Sequence, residues 1–155
     1  MDELKTVIMN FKLNLVVLLI IPVTIIAQAP NDTPMDRIFE ICDGKVFTKT
    51  EVKPSLKIAG EAYGDSLMSY LLSKNVVIKN SAMPCRFILT SHSQVLNIKV
   101  GINPTPATRI LSDAVLHFKD LLKPAVQNNL QVCSYVTFMV VFEKDRINVD
   151  ILQGF

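Results

Sequence analysis

The chain has 155 residues, of which 50% are hydrophobic and 19% charged, with 5 Gly and 8 Pro, so it is too apolar for a disordered, collagen-like or linker protein and long enough for one domain. Its 16 basic and 14 acidic residues leave a net charge of +2, which indicates neither a polycation that binds nucleic acid nor an acidic tail. The 3 cysteines are too few for a disulfide scaffold.

The most apolar stretch is the uncharged run from Leu15 to Ala27. It is shorter than the about 17–20 apolar residues that a membrane-spanning helix needs, and Pro22 would interrupt such a helix. Its length is typical of the apolar core of a secretory signal, about 7–15 residues. Residues 1–27 are therefore predicted to be a signal peptide that is cut after Ala27, and an uncleaved membrane anchor is the alternative.

The exported chain is predicted to consist of a flexible tether and one domain. Residues 28–45 begin polar and rich in turn formers, which is typical of a tether, and the domain takes up residues 46–155. Within it, Val46 to Val52 alternates loosely between apolar and polar residues and stops before Pro54, which predicts a short edge strand.

The remaining elements follow from the spacing of apolar residues. Helical spacing predicts helices over 61–74 and 111–122, whereas alternation predicts strands over 83–90, 95–100 and 132–142 and a further short run over 147–151. The second helix is expected to pack on the sheet through Leu111, Ala114, Val115, Phe118 and Leu122.

This order predicts an α+β fold with a ββαβ core. A right-handed crossover through the helix makes the third strand parallel to the second, so the third strand can pair only with the first, in antiparallel orientation. The result is a three-stranded sheet of order 2-1-3 with one packing helix, preceded by an N-terminal strand and helix. The third strand would lie at an edge, and the run over 147–151 is a candidate extra strand beside it.

Residues suited to chemistry are few and scattered. His92 and His117 are expected to be solvated, and nothing near them has the spacing of metal ligands. Cys85 shares the core face of its strand whereas Cys133 points to the opposite face, so a buried Cys85 thiol and at most one bridge, involving Cys42, are expected. Because no catalytic triad pattern or Gly-rich phosphate loop is present, we expect no enzyme, cofactor, metal, small-molecule substrate or nucleic acid.

Several weak motifs, taken in order, resemble the TonB C-terminal domain family. Residues 87–100, FILTSHSQVLNIKV, resemble the family string F-V-V-x-x-x-G-x-V-x-x-V-x-V, and residues 122–125 and 127–129 resemble its W-K-P-A and Q-N-G. Residues 51–71 resemble the lead-in P-x-x-x-G-G-x-x-x-L-x-x-Y-L. The chain departs from the family pattern at Ser93, Leu122, Asn129 and Met139, which replace Gly, Trp, Gly and Pro. It thus resembles a divergent member.

The resemblance implies a periplasmic domain that binds an extended peptide of an outer-membrane transporter by strand addition, in transmembrane nutrient transport. The binding edge that it implies is the third strand. The candidate residues are Val132, Cys133, Ser134, Tyr135, Val136, Thr137, Phe138, Met139 and Val140. Full energy transducers also have a histidine in their membrane anchor and a long Pro-rich spacer, and neither is found here, so we expect a domain uncoupled from the motor.

Other readings stay open. One is an accessory or structural exported protein with the same fold, in which the C-terminal tail blocks the sheet edge. The others concern localisation and oligomeric state. The chain could be anchored in the inner membrane facing the periplasm, and it could form a homodimer by edge pairing.

Overall fold

The computed structural model of the chain describes residues 33–79, 81–144 and 146–153, so the predicted signal peptide lies outside the described residues. The α+β class is confirmed. The helices are α1 (Met35–Ile41), α2 (Gly60–Ser73) and α3 (Pro106–His117). The strands are β1 (Ser55–Leu56), β2 (Ser81–Leu89), β3 (Val95–Val100), β4 (Leu122–Lys123), β5 (Ala125–Gln127), β6 (Leu130–Val132), β7 (Ser134–Glu143) and β8 (Arg146–Gln153).

The main sheet has four strands in the order β3-β2-β7-β8, and every neighbouring pair is antiparallel. β7 is paired on one side with β2, from Ser134 opposite Leu89 to Phe142 opposite Ser81. On its other side it is paired with β8. The third predicted strand therefore does not lie at the edge of the sheet, because the candidate extra strand over 147–151 is present as a full fourth strand, β8.

The core lies between one face of this sheet and the helices α2 and α3. Alternate strand residues such as Phe87, Phe138 and Val140 are buried there. The Phe138 ring meets Phe87 and Tyr63 edge-on, with ring centroids 5.0 and 6.0 Å apart. Edge-to-face contacts of this kind add to the free energy gained by burying the rings.

Helix α3 begins and ends earlier than the stripe of apolar residues predicts. Thr105 caps its N-terminus, since the Thr105 hydroxyl accepts a hydrogen bond from the Thr108 N–H at 3.1 Å. Pro106 occupies the first turn, where the backbone N–H that proline lacks would have no acceptor within the helix. The helix ends at His117, so Phe118 is its C-cap and is only half-buried. The expected packing of the helix through Leu111, Ala114 and Val115 is confirmed, because all three are buried, whereas Leu122 is buried as part of β4 and not of the helix.

The region before residue 46 is folded as far as it is described, which corrects the prediction of a tether over 28–45. Residues 35–41 form α1, Ile38 is fully buried, and Cys42 is bonded to Cys133 with a Cα–Cα distance of 5.6 Å. The expected strand over 46–52 is reduced to isolated bridges at Phe47 and Val52. The single bridge involving Cys42 and the buried Cys85 thiol agree with the sequence.

Candidate functional site: the outer edge of strand β7

The nine candidate residues do not form one continuous free strand. Val132 ends β6, where it pairs with Ala125. Cys133 lies between β6 and β7 and carries the disulfide. The other candidates, from Ser134 to Val140, lie in the first part of β7.

β8 covers most of the outer edge of β7. The pairing runs from Glu143 opposite Arg146 to Val136 opposite Gln153. On the core side, Ile147 and Val149 are 1% and 6% exposed, so β8 contributes buried side chains as well as backbone pairing. The strand is therefore an integral part of the sheet.

The beginning of β7 is covered by a different segment. The Phe47 N–H donates to the Cys133 carbonyl and the Tyr135 N–H donates to the Phe47 carbonyl, both at 2.9 Å. These bonds form a parallel bridge between Phe47 and Ser134. Within the described chain, Phe47 and β8 together cover the outer edge of β7 from one end to the other.

The edge beyond β8 is approached closely by helix α2. A Cβ at Gly60 would lie 2.9 Å from the Val149 carbonyl oxygen, and a Cβ at Gly64 would overlap the Ile147 carbonyl. By the alternation of an antiparallel ladder these two carbonyls point away from β7. The helix therefore lies against the open edge of β8, and only glycine allows this distance. The spacing of Gly60 and Gly64, one helical turn apart, is a signal in the sequence that could have predicted this contact.

The opposite edge of the sheet, on β3, is protected locally. A bulge interrupts the pairing with β2 at Asn97, whose φ is +51°, and exposed Lys99 follows it. The Asn97 side chain also binds the backbone of Thr33, accepting from its N–H at 2.7 Å and donating to its carbonyl at 3.1 Å. Bulges and lysines are known means of preventing unwanted pairing at a strand edge.

Two ionisable groups are buried in the core, away from this edge. Burial raises the pKa of the Cys85 thiol to about 12. Burial, with a smaller contribution from Cys85, also raises the pKa of Tyr63, whose hydroxyl has no hydrogen-bond partner in the described structure. Both groups therefore stay protonated at neutral pH and pack as core residues.

The described residues hold no group of three or more metal-ligating side chains. Over the same part of the chain, no helix is both long and apolar enough to cross a membrane. His92 and His117 are exposed and lie in different elements, at the β2–β3 turn and at the end of α3.

Comparison of the chain with models of known families, with curated proteins and with solved structures found no match. The resemblance to the TonB C-terminal domain therefore continues to depend on the order of its motifs. Any functional conclusion has to be argued from the geometry of the edge.

Proposed function

We propose that the chain is an exported interaction domain of the TonB C-terminal kind, with a ββαβ core of β2, β3, α3 and β7. In this proposal it resides in the periplasm and binds an extended peptide of an outer-membrane transporter by strand addition along β7. The order of the motifs supports it, because the resembling residues 87–100 span β2 and β3 and residues 127–129 fall at the β5–β6 turn. The Cys42–Cys133 disulfide supports export, because disulfides persist in oxidising compartments.

The observation that carries the proposal is the pairing of β8 with β7. An eight-residue strand of the chain itself lies on this edge in antiparallel orientation. Its alternate residues Ile147 and Val149 enter the core, while Asn148 and Asp150 face the other way. A partner peptide that took this place would gain affinity from backbone hydrogen bonds and selectivity from its alternate side chains.

Displacing β8 has a cost that the partner must offset. Two buried aliphatic side chains, Ile147 and Val149, would be exposed, at about 1.5–3 kcal/mol each. That sum is a large part of the 5–15 kcal/mol that stabilises a typical domain. This observation favours a second candidate function, an accessory or structural exported protein in which β8 permanently closes the edge.

A reversible covalent lock between β7 and β8 distinguishes the two candidates. Met139 and Asp150 lie directly opposite each other in the middle of the β7–β8 ladder, on the face of the sheet turned away from the core. Antiparallel partners have Cα atoms about 4.5–5.5 Å apart, which suits a disulfide. The variant Met139→Cys/Asp150→Cys, oxidised, therefore holds β8 against the part of β7 at which a peptide would bind.

The probes are synthetic peptides copied from the N-terminal segments of outer-membrane transporters of the same organism. Strand addition at β7 predicts that a peptide binds the reduced variant and shifts the backbone amide signals of residues 136–140. Oxidation of the variant should abolish this binding. Wild type with the same reductant controls for opening of the native Cys42–Cys133 bridge. Equal binding in both states would exclude the β7 edge, and no binding in either state would leave the structural candidate.

A further inference from the structure

The face of the main sheet that points away from the core is only partly covered. Helix α1 packs on it through Ile38 and Cys42, beside Ile88 and Leu96. The neighbouring part of this face carries no helix in the described chain, and most of its side chains are exposed or half-buried. Among them are Arg86, Lys99, Met139, Val141 and Asp150. This side of the molecule therefore has a ridge, α1, next to a recess, the bare sheet.

Large apolar side chains are exposed along this ridge and beside it. Met35 and Phe39, one turn apart on α1, are 48% and 42% exposed, and Tyr135, the strand partner of Ile88, is 40% exposed. Aromatic residues and methionine are enriched in protein–protein interfaces. Their position next to the α1 contact indicates a surface that is suited to association.

Charge on this side is unevenly distributed: two basic residues face each other on β2 and β3, Asp150 lies on β8, and α1 carries two carboxylates with Arg37 between them. Arg86 and Lys99 are directly opposite each other on β2 and β3. Like charges in that position destabilise a sheet. Among the described residues, neither has a hydrogen bond or ion pair that would offset the repulsion. Within the described part of the chain, no contact therefore offsets the cost of this pair.

The two carboxylates lie on the ridge. Asp36 and Glu40 are exposed, one turn apart, and lie on the side of α1 opposite buried Ile38. They too lack ion pairs within the described chain. Asp150 and Glu143 lie further away on β8 and β7, so the acidic ridge is next to a recess whose β2–β3 half is basic.

We propose that this surface is the interface of a homodimer, in which α1 of each copy occupies the recess of the other. A two-fold interface uses the same patch on both copies, so the patch must be complementary to itself. A rotation that places the ridge of one copy on the recess of the other brings Asp36 and Glu40 onto Arg86 and Lys99 and buries Phe39 and its apolar neighbours. This dimer does not depend on peptide binding at β7, and it differs from edge pairing because it uses a face of the sheet.

A charge exchange tests the proposal on the protein as the cell processes it. Dimerisation is measured by sedimentation equilibrium over a range of protein and salt concentrations. The wild type is expected to dimerise, with a dissociation constant that rises with salt. Arg86→Glu/Lys99→Glu and, separately, Asp36→Lys/Glu40→Lys are each expected to raise that constant at least about tenfold, because every contact occurs twice in a two-fold dimer. All four substitutions together are expected to restore the dimer.

Lys57→Glu/Lys123→Glu is the matched control, since it makes the same change of charge at two exposed lysines outside this face. It is expected to change the dissociation constant by less than about twofold, because neither lysine lies in the proposed interface. Circular dichroism establishes that each variant is folded. A wild type that is monomeric throughout, a dimer indifferent to both reversals, or a folded but monomeric fourfold variant would each overturn the proposal.

Discussion

Replacing Gly64 by alanine is expected to destabilise the domain, although the same change usually stabilises a helix. Gly64 lies inside α2, where alanine normally adds about 0.5–1 kcal/mol by reducing the freedom of the unfolded chain. Here, however, the new Cβ would overlap the backbone carbonyl of Ile147. Backbone cannot rotate out of the way as a side chain can, so α2 and β8 must separate.

The size of the effect follows from these opposing contributions. Overpacking in a close contact costs about 1–3 kcal/mol, and contact with backbone belongs at the upper end of that range. After the gain in helix propensity is subtracted, we expect a loss of about 1–2 kcal/mol in the free energy of unfolding. Gly60→Ala should cost less, because its Cβ would lie 2.9 Å from the Val149 carbonyl oxygen, where a small shift suffices.

Urea denaturation, followed by circular dichroism, measures both changes, and Ser69→Ala at an exposed position of α2 is the control. The control should be neutral or slightly stabilising, within about 0.5 kcal/mol. Hydrogen exchange in Gly64→Ala should also become faster in β8 than in β2, because β8 loses its outer support. A Gly64→Ala variant as stable as the control would show that α2 does not lie against β8 as described.

Phe138→Ala should cost about 3–5 kcal/mol by chemical denaturation, because its ring is buried between Phe87 and Tyr63, and half-buried Phe118→Ala should cost less. Cys42→Ser/Cys133→Ser removes a disulfide between residues 91 apart in the sequence, so the free energy of unfolding, measured with urea, should fall by about 4–5 kcal/mol. Stability should decrease as pH rises above 9.0, the ordinary pKa of cysteine, towards about 12, since the unfolded chain ionises Cys85 before the folded one does. Cys85→Ala should reduce that loss, most clearly between pH 9.0 and 10.0, below the ordinary pKa of Tyr63, whose own raised pKa keeps part of the loss at higher pH, and an unchanged profile would contradict the assignment.

Local patterns in the sequence predict the elements of this fold better than their boundaries or partners. The stripe Leu111, Ala114 and Val115 is buried as expected, because helical spacing alone defines that face. The helix begins before the predicted stripe because the Thr105 cap and Pro106 fix its start, and Leu122, the last residue of the stripe, lies in β4 and not in the helix. The spacing of apolar residues therefore does not show whether the last residue of a stripe belongs to the helix or to the strand that follows it.

Alternation in the C-terminal run predicts a candidate strand beside β7, which the structure contains as β8, but it does not predict how firmly that strand is held. Ile147 and Val149 suggest a strand, but whether it stays in place depends on its support by α2, far away in the sequence. The bridge from Phe47 to Ser134 depends in turn on α1 and on a disulfide whose partners are 91 residues apart. Contacts of this kind result from tertiary packing, and a single sequence contains little trace of them.

The described sheet protects each edge by a different means, and these means differ in how easily they are removed. On β3 the bulge at Asn97 and the charge of Lys99 are local, so no rearrangement of the chain would make that edge a regular partner. On β7 the protection is a separate strand, β8, which is in turn in close contact with α2. Under the proposed function, strand addition therefore takes place at β7, and it requires the contact of Gly60 and Gly64 with β8 to open. A variant that weakens this contact while the core stays folded should bind an added strand more tightly than the wild type does, whereas a permanently closed edge predicts no binding by either.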